Sequence, residues 1–302
     1  MKRLSRRRFL TGSGAIAGAA LLPGESRAAV GAAPPSYDDA IAVLYDATRC
    51  IGCRSCVRAC RSFNELPPEE REIEGVAFDV PTRLSEDNWT VIQLYRQEGS
   101  DGQPAGADPR WSFVKKNCMH CNVPACVSVC PVAALQKTDA GAVVYYEDRC
   151  IGCRYCMLAC PYQVPRYQWV DRMPRVRKCN WNRACVKACP VGALQEGSRA
   201  EMIAEAHRRI DESPQRYVDH VYGEHEAGGA SYLILAGVSH AKLGLPSLPT
   251  RLRSTYAEPI LKSIPGLIIG LGLFLGGLYR MEGRRRAVEA EREERAGKET
   301  GP

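Results

Sequence analysis

The sequence has little of the charge that a nucleic-acid partner would require. Its formal net charge is +7, yet residues 1–27 hold six basic side chains against one acidic one, so the remainder carries only +2. Nucleic-acid binding depends on a sustained basic footprint. We therefore expect no nucleic-acid partner.

The sequence also lacks motifs typical of sites for nickel, a pterin or a nucleotide, so no catalytic residue is predicted. Histidine is scarce, and four of the five histidines show no metal-ligand spacing: His207, His220, His225 and His240. The fifth, His120, lies within Cys118-Met119-His120-Cys121. Because the cysteines already suffice as ligands, we expect His120 to tune a metal site from beside it.

Cysteine, in contrast, is abundant, with 15 residues in four short runs. The runs are Cys50, Cys53, Cys56 and Cys60; Cys118, Cys121, Cys126 and Cys130; Cys150, Cys153, Cys156 and Cys160; and Cys179, Cys185 and Cys189. The first and third have the spacing C-x2-C-x2-C-x3-C, which wraps three thiolates around an iron–sulfur cubane and sends the fourth to a neighbouring cluster. Every run therefore predicts iron ligands.

Disulfides and zinc are the competing interpretations of these cysteines. Cysteines two or three positions apart rarely bridge in such runs, and a zinc site takes four ligands in two separated pairs. Neither pattern accounts for the fourth cysteine of the three runs that have four. Basic residues flank the runs and either raise cluster potentials or are solvated surface charges: Arg49, Arg54, Arg58, Arg149, Arg154, Lys178 and Lys187.

The fourth run departs from the pattern, because Asn182 stands where the spacing would want a cysteine. A centre built on Cys179 and Cys185 therefore lacks one thiolate. Three outcomes stay open: a three-iron cluster, a cubane with another ligand, or no cluster.

Two motif types alternate along the chain, which indicates duplication of a two-cluster unit. We predict an α+β fold of two pseudo-symmetric modules that resemble bacterial ferredoxins, with insertions over 62–116 and 196–259. Within this fold we expect a strand over Gly141–Tyr146, a helix over Glu201–Ile210 and a loop over Gly99–Pro109.

The two ends of the chain predict export and a membrane anchor. Residues 1–28 resemble a twin-arginine signal peptide, with Arg6, Arg7 and Arg8 before a mild apolar stretch. Residues 260–279 predict a transmembrane helix, and the arginines that follow predict a cytoplasmic tail over 280–302. The iron–sulfur domain, residues 29–259, is then expected on the periplasmic side of the inner membrane, anchored by a single pass.

With these motifs, the chain resembles the HybA type of iron–sulfur subunit from membrane-bound periplasmic nickel–iron hydrogenases. The similarity runs from Ala42 to Pro246. The matching segments are Leu44-Tyr45-Asp46, Cys118-Met119-His120-Cys121, the runs 152–157 and 159–162, Tyr222-Gly223-Glu224 and Gly228-Gly229. The beta subunits of membrane formate dehydrogenases are wider relatives that typically lack a signal of their own.

The resemblance implies four sets of cluster ligands. They are a first group (Cys50, Cys53, Cys56 and Cys189), a second group (Cys118, Cys121, Cys126 and Cys160), a third group (Cys150, Cys153, Cys156 and Cys130) and a fourth group (Cys60, Cys179 and Cys185). The implied cofactors are three [4Fe-4S] clusters and a fourth cluster, for which [3Fe-4S] is one form.

The resemblance also implies a function without catalysis by this chain. Electrons would pass between hydrogenase catalytic subunits and an integral-membrane, quinone-reactive subunit, and the twin-arginine export machinery would be a further partner. The competing functions are a beta subunit of a formate dehydrogenase or another molybdopterin oxidoreductase, and, in a different class, an iron–sulfur redox sensor or assembly scaffold.

Overall fold

A computed structural model of the chain describes residues 37–67, 83–96, 111–169, 174–251 and 253–299. The chain divides into two compact units, one of residues 33–255 and one of residues 1–32 with 256–302. All 15 cysteines lie in the first unit. The predicted signal peptide and the predicted loop over Gly99–Pro109 fall outside the described residues.

The described residues form short helices and strands joined by loops. The strands are β1 (Ile41–Asp46), β2 (Val91–Arg96), β3 (Trp111–Lys116), β4 (Leu135–Lys137), β5 (Val143–Tyr145), β6 (Arg166–Tyr167), β7 (Val176–Arg177), β8 (Leu194–Ser198) and β9 (Tyr232–Leu235). The helices are α1 (Ser55–Phe63), α2 (Ala125–Ser128), α3 (Tyr155–Ala159), α4 (Ala184–Lys187), α5 (Arg199–Glu212) and α6 (Arg253–Glu299), with 3₁₀ turns at Glu147–Arg149, Glu226–Gly228 and His240–Leu243. This mixture agrees with the α+β prediction.

A three-stranded sheet organises the first unit. Strand β1 lies in its centre, antiparallel to β8 and parallel to β9. Five of its six residues are buried, as expected for a strand covered on both faces. Because side chains alternate, Val43 and Tyr45 face the core that contains Cys56, while Leu44 packs with Ala206 and Ile210 of α5. The sheet thus separates a cysteine-rich face from a helical face.

Helix α5 is fixed to this sheet at both ends. Ser198 and Glu201 form a reciprocal capping box at its start. Near its end, Arg209 Nη1 donates to Asp46 Oδ2 across 3.0 Å, and Tyr217 Oη donates to the same oxygen across 2.9 Å. Asp46 is fully buried, so these partners supply the compensation that a buried carboxylate needs.

The sequence repeat is also a repeat of backbone conformation. Gly52 and Gly152, at matching positions, both have φ +69°. Arg54 and Arg154 then both adopt the left-handed conformation just before α1 and α3. A Cβ atom at Gly52 would lie 2.4 Å from Phe113 Cε1, so this turn excludes a side chain.

Two predicted elements are confirmed with different ends. The helix predicted over Glu201–Ile210 is α5, which is longer because the capping box starts it at Arg199. The strand predicted over Gly141–Tyr146 is β5, which is shorter and pairs with β4. Among the described residues, the other strands pair as two-stranded ribbons, β2–β3, β4–β5 and β6–β7.

The predicted transmembrane helix requires a correction. The structure has a helix here, α6, but among the described residues no helix combines the length and the apolar character that crossing a membrane demands. The uncharged stretch 263–279 has 17 residues, about 26 Å of helix against a hydrocarbon core of about 30 Å. The span over 260–279 is therefore wrong, and so is the single-pass inner-membrane location that depended on it.

Candidate metal centres

Cys56, Cys126, Cys156 and Cys185 are each the second residue of a helix, and most of the other cysteines lie in the loops that flank these helices. All 15 thiols are free, and Cys56, Cys60, Cys118 and Cys156 are buried. Cys153 is the exposed one. Every thiol except that of Cys153 is therefore at least partly shielded from solvent.

The third group lines one pocket. Cys130, Cys150, Cys153 and Cys156 share its wall with side chains of the β4–β5 and β6–β7 ribbons. Tyr167 Oη lies 2.9 Å from Cys156 Sγ, and the Ala134 backbone N–H donates to Cys130 Sγ across 3.2 Å. Cysteines from two different runs thus line the same pocket.

The fourth group lines a second pocket. Cys60, Cys179 and Cys185 are joined there by Asn182 and Lys115. The remaining wall comes from Val43, Thr90, Asn117, Trp181, Arg183 and Tyr232. Strand β3 and the loop before α4 therefore contribute polar groups to the site that lacks a thiolate.

In the first and second groups, neighbouring thiolates raise one another's pKa. Burial raises the pKa of Cys50, and the thiolates of Cys189 and Cys53 raise it further. Burial likewise raises the pKa of Cys121 well above its usual value, with further contributions from the thiolates of the other three second-group cysteines, Cys118, Cys160 and Cys126. These sets, too, combine cysteines from different runs.

Burial makes these thiols poor acids in the absence of a metal. It is the largest cause that raises the pKa of Cys56 and of Cys179 to about 12, and that of Cys160 to about 11. Deprotonating several of them together requires a compensating cation. Thiolate sets of this kind fit iron–sulfur clusters, whose irons supply that positive charge.

The four groups follow one another in a series. The Cys185 thiolate raises the pKa of Cys56, which links the fourth group to the first. The Cys118 thiolate raises the pKa of Cys179, which links the second group to the fourth. The Cys156 thiolate raises the pKa of Cys126, which links the third group to the second. The resulting order is first, fourth, second and third group, with the incomplete group inside the series.

Asn182 occupies the position of the missing thiolate, but its amide is already engaged. Its Oδ1 accepts from the Ala184 backbone N–H at 2.9 Å, and its Nδ2 donates to Asn180 Oδ1 at 2.7 Å. Asn64 extends this amide network and donates to the Cys60 carbonyl oxygen at 2.7 Å. The Asn182 oxygen therefore already accepts a hydrogen bond from the first residue of α4.

His120 is fully buried beside the second group. Its Nδ1 accepts from the Val143 backbone N–H at 2.9 Å, and its ring lies 4.3 Å from that of Trp181. Burial holds its pKa well below the ordinary value, with Lys178, Lys137 and Lys115 acting in the same direction. His120 thus packs beside the cysteines, and its role in tuning a metal site stays a prediction.

Three lysines stand among the cysteine groups, and sequence reasoning singled out only Lys178. Lys115 and Lys178 are buried, and Lys137 is half-buried. Burial lowers the pKa of Lys137 to about 8. Burial also opposes the charge on Lys115, yet the thiolates of Cys185 and Cys56 leave its pKa raised. Nothing in the stretch Trp111–Lys116 sets Lys115 apart from Lys116 beforehand.

Two family models, both described as 4Fe-4S dicluster domains, match residues 49–134 and 109–199. The hydrogenase-2 operon protein HybA of Escherichia coli O157:H7 is 33% identical, over 90% of this chain and 93% of its own length. The chain belongs to the HybA family of iron–sulfur subunits. It is accordingly an iron–sulfur electron-transfer subunit.

Two other proteins are similar to this HybA-family chain over most of its length. A protein of Nitratidesulfovibrio vulgaris strain Hildenborough is 37% identical over 98% of this chain and 82% of its own length. The iron–sulfur subunit of the nitrate-inducible formate dehydrogenase of Escherichia coli K12 is 34% identical, over 72% of this chain and 77% of that subunit. The formate dehydrogenase subunits thus share the core but cover less of the chain.

The grouping predicts a local effect of Cys126→Ser. Because Cys126 stands with Cys118, Cys121 and Cys160, we expect loss of about four irons per chain and of the second group's cluster signal. The signal from the first group should persist, since its thiolates come from other loops. Iron analysis and electron paramagnetic resonance (EPR) spectroscopy of anaerobically purified protein measure both.

Ser128→Ala, in the same short helix α2, is the control and should keep all the iron. Equal loss of every cluster signal in a folded Cys126→Ser protein would contradict the separate grouping.

Proposed function

We propose that this chain is the electron-transfer subunit of a hydrogenase complex. It passes single electrons between the catalytic subunits and a quinone-reactive membrane subunit. The observation that carries this proposal is the continuous series of four thiolate groups, because a chain of neighbouring redox centres is what electron passage across a protein requires. The two end groups, first and third, are the points of entry and exit.

The proposed ligands are the cysteines of the four groups. The first, second and third groups each offer four thiolates to a [4Fe-4S] cluster, and the fourth offers three. When bound, such clusters accept and release single electrons at potentials that the surroundings set. The chain's own residues hold the thiolates in place, exclude water from the buried sulfurs and supply charges beside them.

The hydrogenase assignment is favoured over the formate dehydrogenase one by coverage. The HybA relative matches 90% of the chain, whereas the formate dehydrogenase subunit matches 72%. A redox sensor or assembly scaffold has no need for four groups in series. That arrangement supports electron transfer through successive clusters instead. The twin-arginine signal over residues 1–28, with the export machinery as a partner, stays a prediction.

This function is tested by finding which substrate reduces the clusters. In the complex purified with its catalytic subunits, hydrogen gas should reduce the clusters, and formate should not. The measurement is the EPR spectrum of the same sample before and after each addition, with dithionite defining full reduction.

Reduction by formate alone would replace the hydrogenase assignment with the competing one. Reduction by neither substrate, in a complex that dithionite reduces fully, would contradict electron transfer through successive clusters and favour a sensor or scaffold.

For the fourth group we propose a [3Fe-4S] cluster held by Cys60, Cys179 and Cys185. The support is that Asn182 has its Oδ1 occupied by the Ala184 N–H, and amide oxygen is a poor partner for iron in a sulfide cluster. The corner nearest Asn182 is then left without iron.

Low-temperature EPR of the oxidised protein tests this cluster type. We expect a near-isotropic signal of about one spin per chain in anaerobically prepared protein, and Asn182→Cys should convert it to a four-iron signal. Asn180→Ala is the matched control, since it disturbs the same amide network without adding a thiolate, and the signal should stay. Absence of the signal in the unaltered protein, with about sixteen irons per chain, would contradict the three-iron form.

A further inference from the structure

Lys115 is a buried cation with few protein partners. Its residue is 2% exposed, on strand β3, where it pairs in register with Ile92. Its ammonium group donates to Asn117 Oδ1 across 2.8 Å, its single hydrogen-bond acceptor among the described residues. An ammonium group has three protons to donate, so a buried lysine with one acceptor needs another source of compensation.

The other two lysines of this region do not share that need. Lys178 donates to the Val143 carbonyl oxygen and, across 3.0 Å, to that of Cys179. Lys137 donates to the His120 and Gly141 carbonyl oxygens and to Ser231 Oγ. Both therefore hold loops together through hydrogen bonds, which explains their burial without a cluster.

The compensation for Lys115 lies in the pocket of the fourth group. Lys115 lines that pocket together with Cys60, Cys179 and Cys185. Its Nζ also lies 5.2 Å from the ring centroid of Tyr232, which covers it from one side. Of the charged side chains of this wall, Lys115 is the buried one, since Arg183 is partly exposed.

The geometry points to a role for Lys115 that deepens the proposed function and rests on it. We propose that the Lys115 ammonium group is the internal counter-charge of the fourth cluster and raises its reduction potential. When one electron enters this cluster, its charge becomes more negative by one, and no bond or proton needs to change. A fixed cation in a medium of low dielectric stabilises the reduced form more than the oxidised form.

This role suits the place of the fourth group within the series. The fourth group has one thiolate fewer and lies between the first and second groups. Its reduction potential decides how readily it takes an electron from one of them and passes it to the other. Lys115 is a positioning charge and not a ligand, so its removal should leave the iron in place while the potential falls.

Redox titration followed by EPR, on the full-length protein purified anaerobically, tests this role. In Lys115→Met we expect the ratio of reduced to oxidised fourth cluster, at a fixed applied potential, to fall at least tenfold, equivalent to about 59 mV for one electron. Lys115→Arg keeps the charge and should stay close to the unaltered protein. The third group's cluster should titrate unchanged in both.

Lys116→Met is the matched control. Lys116 is the next residue on β3, and its side chain donates instead to Tyr95 Oη and the Gly244 carbonyl oxygen. The potential of the fourth cluster should be unaffected by this substitution. If Lys115→Met does not fold, Lys115→Gln, which keeps a polar side chain without charge, makes the same comparison with Lys115→Arg.

Two results would overturn the inference. One is an unchanged potential of the fourth cluster in Lys115→Met or Lys115→Gln. The other is an equal shift, or an equal loss of this cluster, in Lys115→Arg, because the charge would then not be the cause. Failure of the proposed function looks different: the unaltered protein would hold its clusters yet take no electrons from the catalytic subunits.

Discussion

The burial of thiols close to one another is the constraint on which the rest of this structure depends. Burial raises the pKa of these thiols, and in each group neighbouring thiolates add to the effect. The ionised groups are compatible with burial only when a strongly cationic centre is bound between them. We therefore expect iron binding and the packing of the first unit to be coupled, as in other proteins whose metal sites complete the fold.

Tight turns, short strands and buried lysines surround the thiols in this fold. Left-handed turns at Gly52–Arg54 and Gly152–Arg154 shape the motif loops, and the β4–β5 and β6–β7 ribbons line the pocket of the third group. Strand β1 presents Val43 and Tyr45 to the cysteine side and Leu44 to α5. A second level of compensation comes from lysine charges placed among the groups, of which Lys115 has the fewest hydrogen-bond partners.

Much of the site was predictable because cluster ligation imposes a fixed spacing on cysteines, and the repeat of that spacing predicted the paired modules. The pairing between runs needed the family resemblance, since spacing alone does not say which fourth cysteine reaches which cluster. Lys115 was unpredictable, because its burial depends on the register between β2 and β3. The predicted span over 260–279 was wrong because Lys262 had to be counted to reach a sufficient length.

The most direct test of the central claim is to locate the iron. Anomalous scattering at the iron absorption edge, from crystals grown anaerobically, should give four separate iron peaks, one within each group of cysteines. They should run in the order first, fourth, second and third group. Iron missing from any of the first, second or third groups, or peaks of single ions in place of clusters, would contradict the account.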